Sequence, residues 1–175
     1  MSDATELVAD LRRPWRHGEH VDARGLVLEA PLILDGMEVR GFDLSGAVLK
    51  GGLRARGATF RGLAWLRGAE VRGVCDLSGA TFRSDLRADR LSADSFILDH
   101  CVLQGVLSLA GSTLGALRLN QALVMANLTL QDAQIAGLVD LDGTEIMGGF
   151  WTAGARFGRV TDRGANISGR VRLAR

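Results

Sequence analysis

From Val21 to the end of the chain one pattern recurs without a break: apolar, any, apolar, any, mostly Gly, small, any, apolar, then a spacer of two or three residues. Clean copies are Phe42-Asp43-Leu44-Ser45-Gly46-Ala47-Val48-Leu49, Cys75-Asp76-Leu77-Ser78-Gly79-Ala80-Thr81-Phe82 and Val139-Asp140-Leu141-Asp142-Gly143-Thr144-Glu145-Ile146. Copies begin at Val21, Leu32, Phe42, Leu53, Ala64, Cys75, Leu86, Phe96, Leu107, Leu117, Leu128, Val139, Phe150, Val160 and Val171, and successive starts differ by 10 or 11 residues only.

The apolar residues fall at positions 1, 3, 6 and 8 of each copy, in period-2 pairs separated by a corner, where an amphipathic helix would need i, i+3, i+4 and i+7. This predicts very short strands joined by turns. A unit of this size cannot bury its own apolar side, so stacking units into a solenoid is the physical solution. Each copy splits into two five-residue faces with the first and third residues inward, and four faces close a coil of about 21 to 22 residues. Fifteen half-coils give about seven and a half coils, a rod roughly 35 Å long at the ~4.8 Å spacing of neighbouring strands.

Cys75-Asp76-Leu77-Ser78-Gly79 and Ala80-Thr81-Phe82-Arg83-Ser84 follow, residue by residue, a small residue, a polar residue, Leu or Phe, a polar residue and often Gly. In this the chain resembles the pentapeptide-repeat family over residues 21–175, departing from it by an extra residue at about every second corner. The resemblance implies an all-β fold, a right-handed parallel quadrilateral β-helix over residues 21–175; residues 1–20 before it are read from their own pattern as a short N-terminal capping helix and loop. It is specific for fold and unspecific for function. The best-known activity it implies is protection of type II topoisomerases (gyrase) by an acidic rod that imitates DNA.

Composition agrees with thin stacked layers. Gly numbers 23 of 175, Tyr is absent and aromatics make up only 5%, so the interior must come from small and aliphatic side chains. Leu44, Leu66, Leu77, Leu98, Leu109, Leu119, Leu130 and Leu141 stack at position 3, and Phe60, Phe82 and Phe157 stand at position 8. Ala47, Ala58, Ala69, Ala80, Ala122, Ala133, Ala155 and Ala165 at position 6 leave room for them. Gly at position 5 suits a corner that needs backbone freedom.

Residues 3–13 read as a helix, with Asp3 and Glu6 at capping-box spacing, ended by Pro14 and covering the first coil, with Trp15 over the coil end. Open solenoid ends expose apolar core and unpaired strand edges, so the C-terminal end is expected to join a second copy as a homodimer. Asp162, at an inward slot, reads as a water-facing residue of an irregular last coil, or as a polar feature of an interface. The acidic start of the chain is no secretory signal and no stretch is apolar enough to span a membrane, so a cytoplasmic protein is expected.

Catalytic constellations are not legible. His17-Gly18-Glu19-His20 lies in a loop before the first coil with no third Cys or His nearby and predicts no metal site, and no cofactor is expected. Cys75 and Cys101 fall at inward positions as small apolar fillers. His100 takes a corner slot, and Ser45, Ser78 and Ser108 point outward with no His and Asp arranged for nucleophilic catalysis. The glycines recur with the coil and form no phosphate loop.

Binding must therefore be read on the outward positions. Residues 39–175 carry 17 bases and 12 acids, too few acids for a DNA mimic. A basic face is formed by Arg40, Lys50, Arg54, Arg56, Arg61, Arg67, Arg72, Arg83 and Arg87, a candidate surface for nucleic acid or another anionic surface, although no run of exposed aromatics supports base stacking. Trp65 with Arg87, and Trp151 with Arg172, share outward ladders at cation–π spacing. Val102 and Leu123, with Ile97 on the same side, read together with Trp151 and Asp162 as a possible interface. A non-enzymatic scaffold that binds an unidentified protein partner is the leading expectation, with the topoisomerase-binding and basic-face readings as alternatives.

Overall fold

The structure, a computed structural model, describes residues 4–172 and consists of one helix, Ala4–Leu11, followed by parallel two- to seven-residue strands. Each coil places four strand segments around a square, and each segment pairs in parallel with its equivalent one coil later. The first face pairs Val21, Phe42, Ala64, Leu86, Leu107, Leu128, Phe150 and Val171 in succession. The third face does the same with Leu32, Leu53, Cys75, Phe96, Leu117, Val139 and Val160. These are the repeat starts read from the sequence, and the parallel β-solenoid of about seven turns is as expected.

Only three sheets form, because the strands Glu70–Asp76, Ser92–Ile97, Thr113–Arg118, Gln134–Asp140 and Arg156–Thr161 run through the corner and join the second and third faces. From Leu53 on, the half-turns that differ between 10 and 11 residues do so at this corner, whereas the earlier 10-residue step from Leu32 to Phe42 crosses the opposite one. Register shifts lie between Val71 and Val74, between Leu114 and Leu117, and between Ile135 and Leu138, where the strand with the longer spacer, Glu70–Asp76 or Gln134–Asp140, carries one extra residue as a bulge.

The corner at position 5 obeys one backbone rule. The position-6 amide donates to the position-3 carbonyl, as in Ala47 to Leu44 (3.0 Å) and Ala80 to Leu77 (3.1 Å). Closing that turn with a positive φ at position 5 is what a type II turn demands. Gly46 (φ 69°) and Gly79 (φ 67°) meet it without strain, while Arg90, His100, Gln121 and Asp132 adopt the same left-handed conformation at φ 53–57°. The position-5 amide then donates across to the next coil, for example Gly79 to Asp99 O at 2.7 Å.

The position-3 leucines and the position-6 alanines are buried through most of the rod. Phe42, Phe60, Phe82 and Phe96 are buried, but Phe157, Ala155 and Ala165 are only partly so, because fewer coils follow to cover them. Thr152 is buried and Asp162 is exposed at its inward slot, in a coil where Val160 is also 45% exposed.

At the other end, Leu7 and Leu11 are fully buried in the core, and the Arg40 amide donates to the Leu11 carbonyl at 3.1 Å. The helix is shorter than residues 3–13: it ends at Leu11, where Arg12 donates to Val8 O and Arg13 to Asp10 O. Asp3 of the expected capping box lies outside the described residues. Trp15 does not cover the coil end but lies against the side of the rod at Gly62, where a Cβ would come within 2.7 Å of its Nε1.

Candidate interaction surfaces

Stacking turns sequence positions one coil apart into neighbours, so each outward slot becomes a line along the rod. The most informative line is position 9, at the corner between the fourth and first faces. Pairing of Val39, Phe60, Phe82, Leu103, Val124 and Ile146 sets the residues after them in register: Arg40, Arg61, Arg83, Gln104, Met125, Met147. The line is basic near the helix and apolar further on, where Met125 is 46% and Met147 54% exposed. Sequence reasoning missed the methionines, although the spacer alignment carries the signal: bases or Gln hold that slot in the preceding repeats.

The nine bases of the expected basic face do not share one face. Arg40, Arg61 and Arg83 lie at the corner just described, and Arg54 and Arg56 at the third face. Lys50 and Arg72 sit at the corner between the second and third faces, and Arg67 and Arg87 on or just after the first. Most are held by carboxylates: Arg40 by Glu19 (2.8 Å), Lys50 by Glu29 (2.6 Å), Arg54 by Asp35 (2.6 Å), Arg56 by Asp76 (2.6 Å) and Arg61 by Glu38 (2.8 Å). Arg67 approaches Asp89 (3.6 Å), and Arg72 and Arg87 pair with Glu70 and Asp85, each two residues before them in the chain. Arg83 has no carboxylate at ion-pair distance among the described residues. The hydrogen bond from Arg61 holds the Glu38 carboxyl below the usual carboxylate range, and the nearby charges of Arg61 and Arg83 act in the same direction.

Of the expected interface residues, Val102 and Leu123 are direct neighbours on the fourth face, both partly exposed. Ile97 is not on their side. It pairs on the third face, because one corner separates position 2 from position 7 of a repeat. Trp151 belongs to the first face and Asp162 to the last described coil, so these five do not form one surface. Leu123 instead lies two residues before Met125, and with Val102 and Met147 it makes an apolar strip across the corner.

Trp65 and Arg87 are paired in register, but the guanidinium over the indole is that of Arg67, at 4.4 Å, because Asp85 holds Arg87 at 2.7 Å. The Arg172 side chain of the second expected pair lies outside the described residues.

Polar side chains at positions 2 and 4 have a structural task that periodicity alone does not reveal. Asp43, Asp76 and Asp140 accept the amide two residues on, from Ser45 (2.9 Å), Ser78 (3.0 Å) and Asp142 (3.0 Å), which pre-forms the corner. Asp35, Asp99 and Asp142 instead accept an amide of the next coil, from Arg56 (2.9 Å), Asn120 (3.1 Å) and Arg163 (2.9 Å). Ser108, expected to point outward, is buried and donates its hydroxyl to Asp89 of the preceding coil.

The Cys75 and Cys101 thiols are buried and unbonded to each other. Burial pushes the Cys75 thiol far above its ordinary range and that of Cys101 up to about 12, and Cys101 Sγ donates to Leu77 O at 2.9 Å. Among the described residues no group of three or more His, Cys, Asp or Glu is placed to hold a metal ion, and Glu19 is turned to Arg40. No described helix is long and apolar enough to cross a membrane.

Comparison with protein families matches pentapeptide repeats, in nine copies over residues 34–81. A search of the curated proteins returns no match.

Proposed function

Because this chain is a pentapeptide-repeat protein, its sheets parallel and its coil continuous, we propose that it is a non-enzymatic, cytoplasmic scaffold that binds a protein partner. The observation that carries this reading is the strip formed by Val102, Leu123, Met125 and Met147. Single exposed apolar side chains need no explanation, but two registered pairs side by side, Val102 with Leu123 on the fourth face and Met125 with Met147 at the adjoining corner, make a surface that a partner can cover. Methionine is suited to the role, since its unbranched, polarisable chain adapts to different partner shapes. The backbone beneath it is held by ladder hydrogen bonds, such as Met125 N to Leu103 O at 2.8 Å and Met147 N to Val124 O at 2.9 Å, so the strip is presented on a rigid support.

Affinity capture with the full chain tests the reading, using the double variant Leu123→Glu, Met147→Glu as the control. The scaffold reading expects a protein retained by the parent and released by the variant, with unchanged thermal melting of the chain itself. Equal retention by both would remove the strip from the function.

Self-association through the last described coil is part of the same proposal. Val160 and Val171 occupy inward slots yet are 45% and 43% exposed, and a second copy has the same cross-section to cover them. Light scattering after gel filtration should give the mass of two chains at micromolar concentration, and a strict monomer would overturn the dimer. The topoisomerase-mimic reading draws no support from the surface, where most acids are neutralised by adjacent bases.

A further inference from the structure

The basic half of the position-9 line has a neighbour that the apolar half lacks: the segment between the helix and the first coil folds back over it. Trp15, His17, Gly18 and Glu19 form one wall of a cleft of about 370 Å³, and Arg61, Gly62, Leu63, Arg83 and Ser84 form the other. Trp15 is 38% exposed, and His17 meets its indole edge-on, with ring centroids 6.0 Å apart at 85°. Gly62 makes this closeness possible, because a Cβ there would lie 2.7 Å from Trp15 Nε1 and 3.0 Å from the backbone of Gly41.

The charges around the cleft do not cancel. Glu19 is committed to Arg40 and Glu38 to Arg61. Asp85, next to Ser84, is committed to Arg87 and to the amide of Val106 at 2.8 Å. Arg83 is left over, exposed at the rim, one coil from Arg61 on a line of guanidinium groups. An unpaired guanidinium is a five-donor fork suited to an oxyanion, and the Ser84 hydroxyl stands beside it as a further donor. An exposed indole and an apolar Leu63 opposite these donors suit a flat ring.

We propose that the cleft between Trp15 and Arg83 is a binding site for a small planar ring carrying a phosphate, the ring against Trp15 and the phosphate on Arg83 and Ser84. Nucleotide monophosphates belong to this class. Stacking on an aromatic side chain and a charge-assisted fork to phosphate each discriminate strongly, and the site requires both on one ligand.

Isothermal titration calorimetry of the full chain tests this with three probes: adenosine monophosphate, adenosine and inorganic phosphate. The monophosphate is expected to bind in the submillimolar range, with the other two at least about tenfold weaker, because each keeps only half of the recognition. Arg83→Gln should weaken the monophosphate by about tenfold or more, Trp15→Leu should also weaken it, and Arg72→Gln, which removes a charge at another corner, should leave it unchanged. Arg83 is exposed, so circular dichroism and melting of its variant should match the parent. No binding of the monophosphate at millimolar concentration would overturn the proposal. So would equal binding of inorganic phosphate, or equal losses in Arg83→Gln and Arg72→Gln, which would reduce the effect to a general positive field.

Discussion

The rings of Phe60 and Phe82, one coil apart at position 8, are stacked with centroids 4.6 Å apart and planes within 4°, while Phe42 meets Phe60 edge-on at 5.7 Å and 73°. The parallel pair follows from the ladder: Phe60 and Phe82 are paired residues of adjacent strands, so their side chains leave the backbone in the same direction. Phe60 is the shared ring. Phe60→Ala is expected to cost about 4 kcal/mol, from lost burial together with a cavity that rigid coils cannot close, and Phe60→Leu about 1 kcal/mol. Urea denaturation compares the two, and equal losses would show that the ring contacts, which both variants lack, outweigh burial and cavity.

The corner rule gives an opposite pair of substitutions on adjacent coils. Gly79 and His100 hold the same slot, with φ of 67° and 57°. Gly79→Ala should destabilise by about 1 kcal/mol, since its Cβ would meet only ordinary contacts at 3.8 Å and the conformation alone is at fault. His100→Gly should stabilise by about 0.5 kcal/mol, because the relief of a left-handed side-chain residue exceeds the added freedom of the unfolded chain. Thermal melting of the two variants should move in opposite directions.

Asp76 makes stability depend on acid. Burial alone would raise its pKa, but hydrogen bonds from the Ser78 hydroxyl and amide, and the Arg56 guanidinium at 2.6 Å, outweigh it and leave the carboxyl below the ordinary range. The unfolded chain therefore takes up the proton first as pH falls. The stabilisation is fully present above the unfolded pKa of about 4 and is lost as pH drops through the lower folded value. Asp76→Ala should cost about 2 kcal/mol at neutral pH. Its deficit relative to the parent should shrink as urea titrations are moved below about pH 4, and a constant deficit would contradict the linkage.

The two thiols should be silent in the folded protein. Burial holds Cys101 at about 12 and Cys75 higher still, so almost no thiolate exists at neutral pH. A disulfide reagent such as Ellman's should titrate neither in buffer and both in guanidinium. Fast labelling of native protein would mean that the coil opens at these positions.

Much of the fold was legible because a solenoid writes its cross-section into every repeat. Starts from Val21 to Val171 located both the first and third faces, and the left-handed corner could be read from Gly46 and Gly79. The candidate surfaces were less legible. The ladder correctly sets Arg87 beside Trp65, but Asp85 competes for it, and Arg67, two residues after Trp65, reaches the ring instead. Positions 2 and 7, where Ile97 and Val102 stand, look alike in one dimension, although a corner turns them onto different faces.

The sequence by itself determined the coil: which residues point inward, how many stack and where the chain must turn. Those properties repeat, and each repeat states them through local side-chain size and backbone conformation. Only the tertiary structure decided which outward side chains are engaged. Eight of the expected bases are claimed by carboxylates close in space, several of them a coil away, while Arg83 is not, and the segment carrying Trp15 folds back beside it. Periodicity fixes the rise from coil to coil, but neutralisation and clefts depend on distances between side chains that no period encodes.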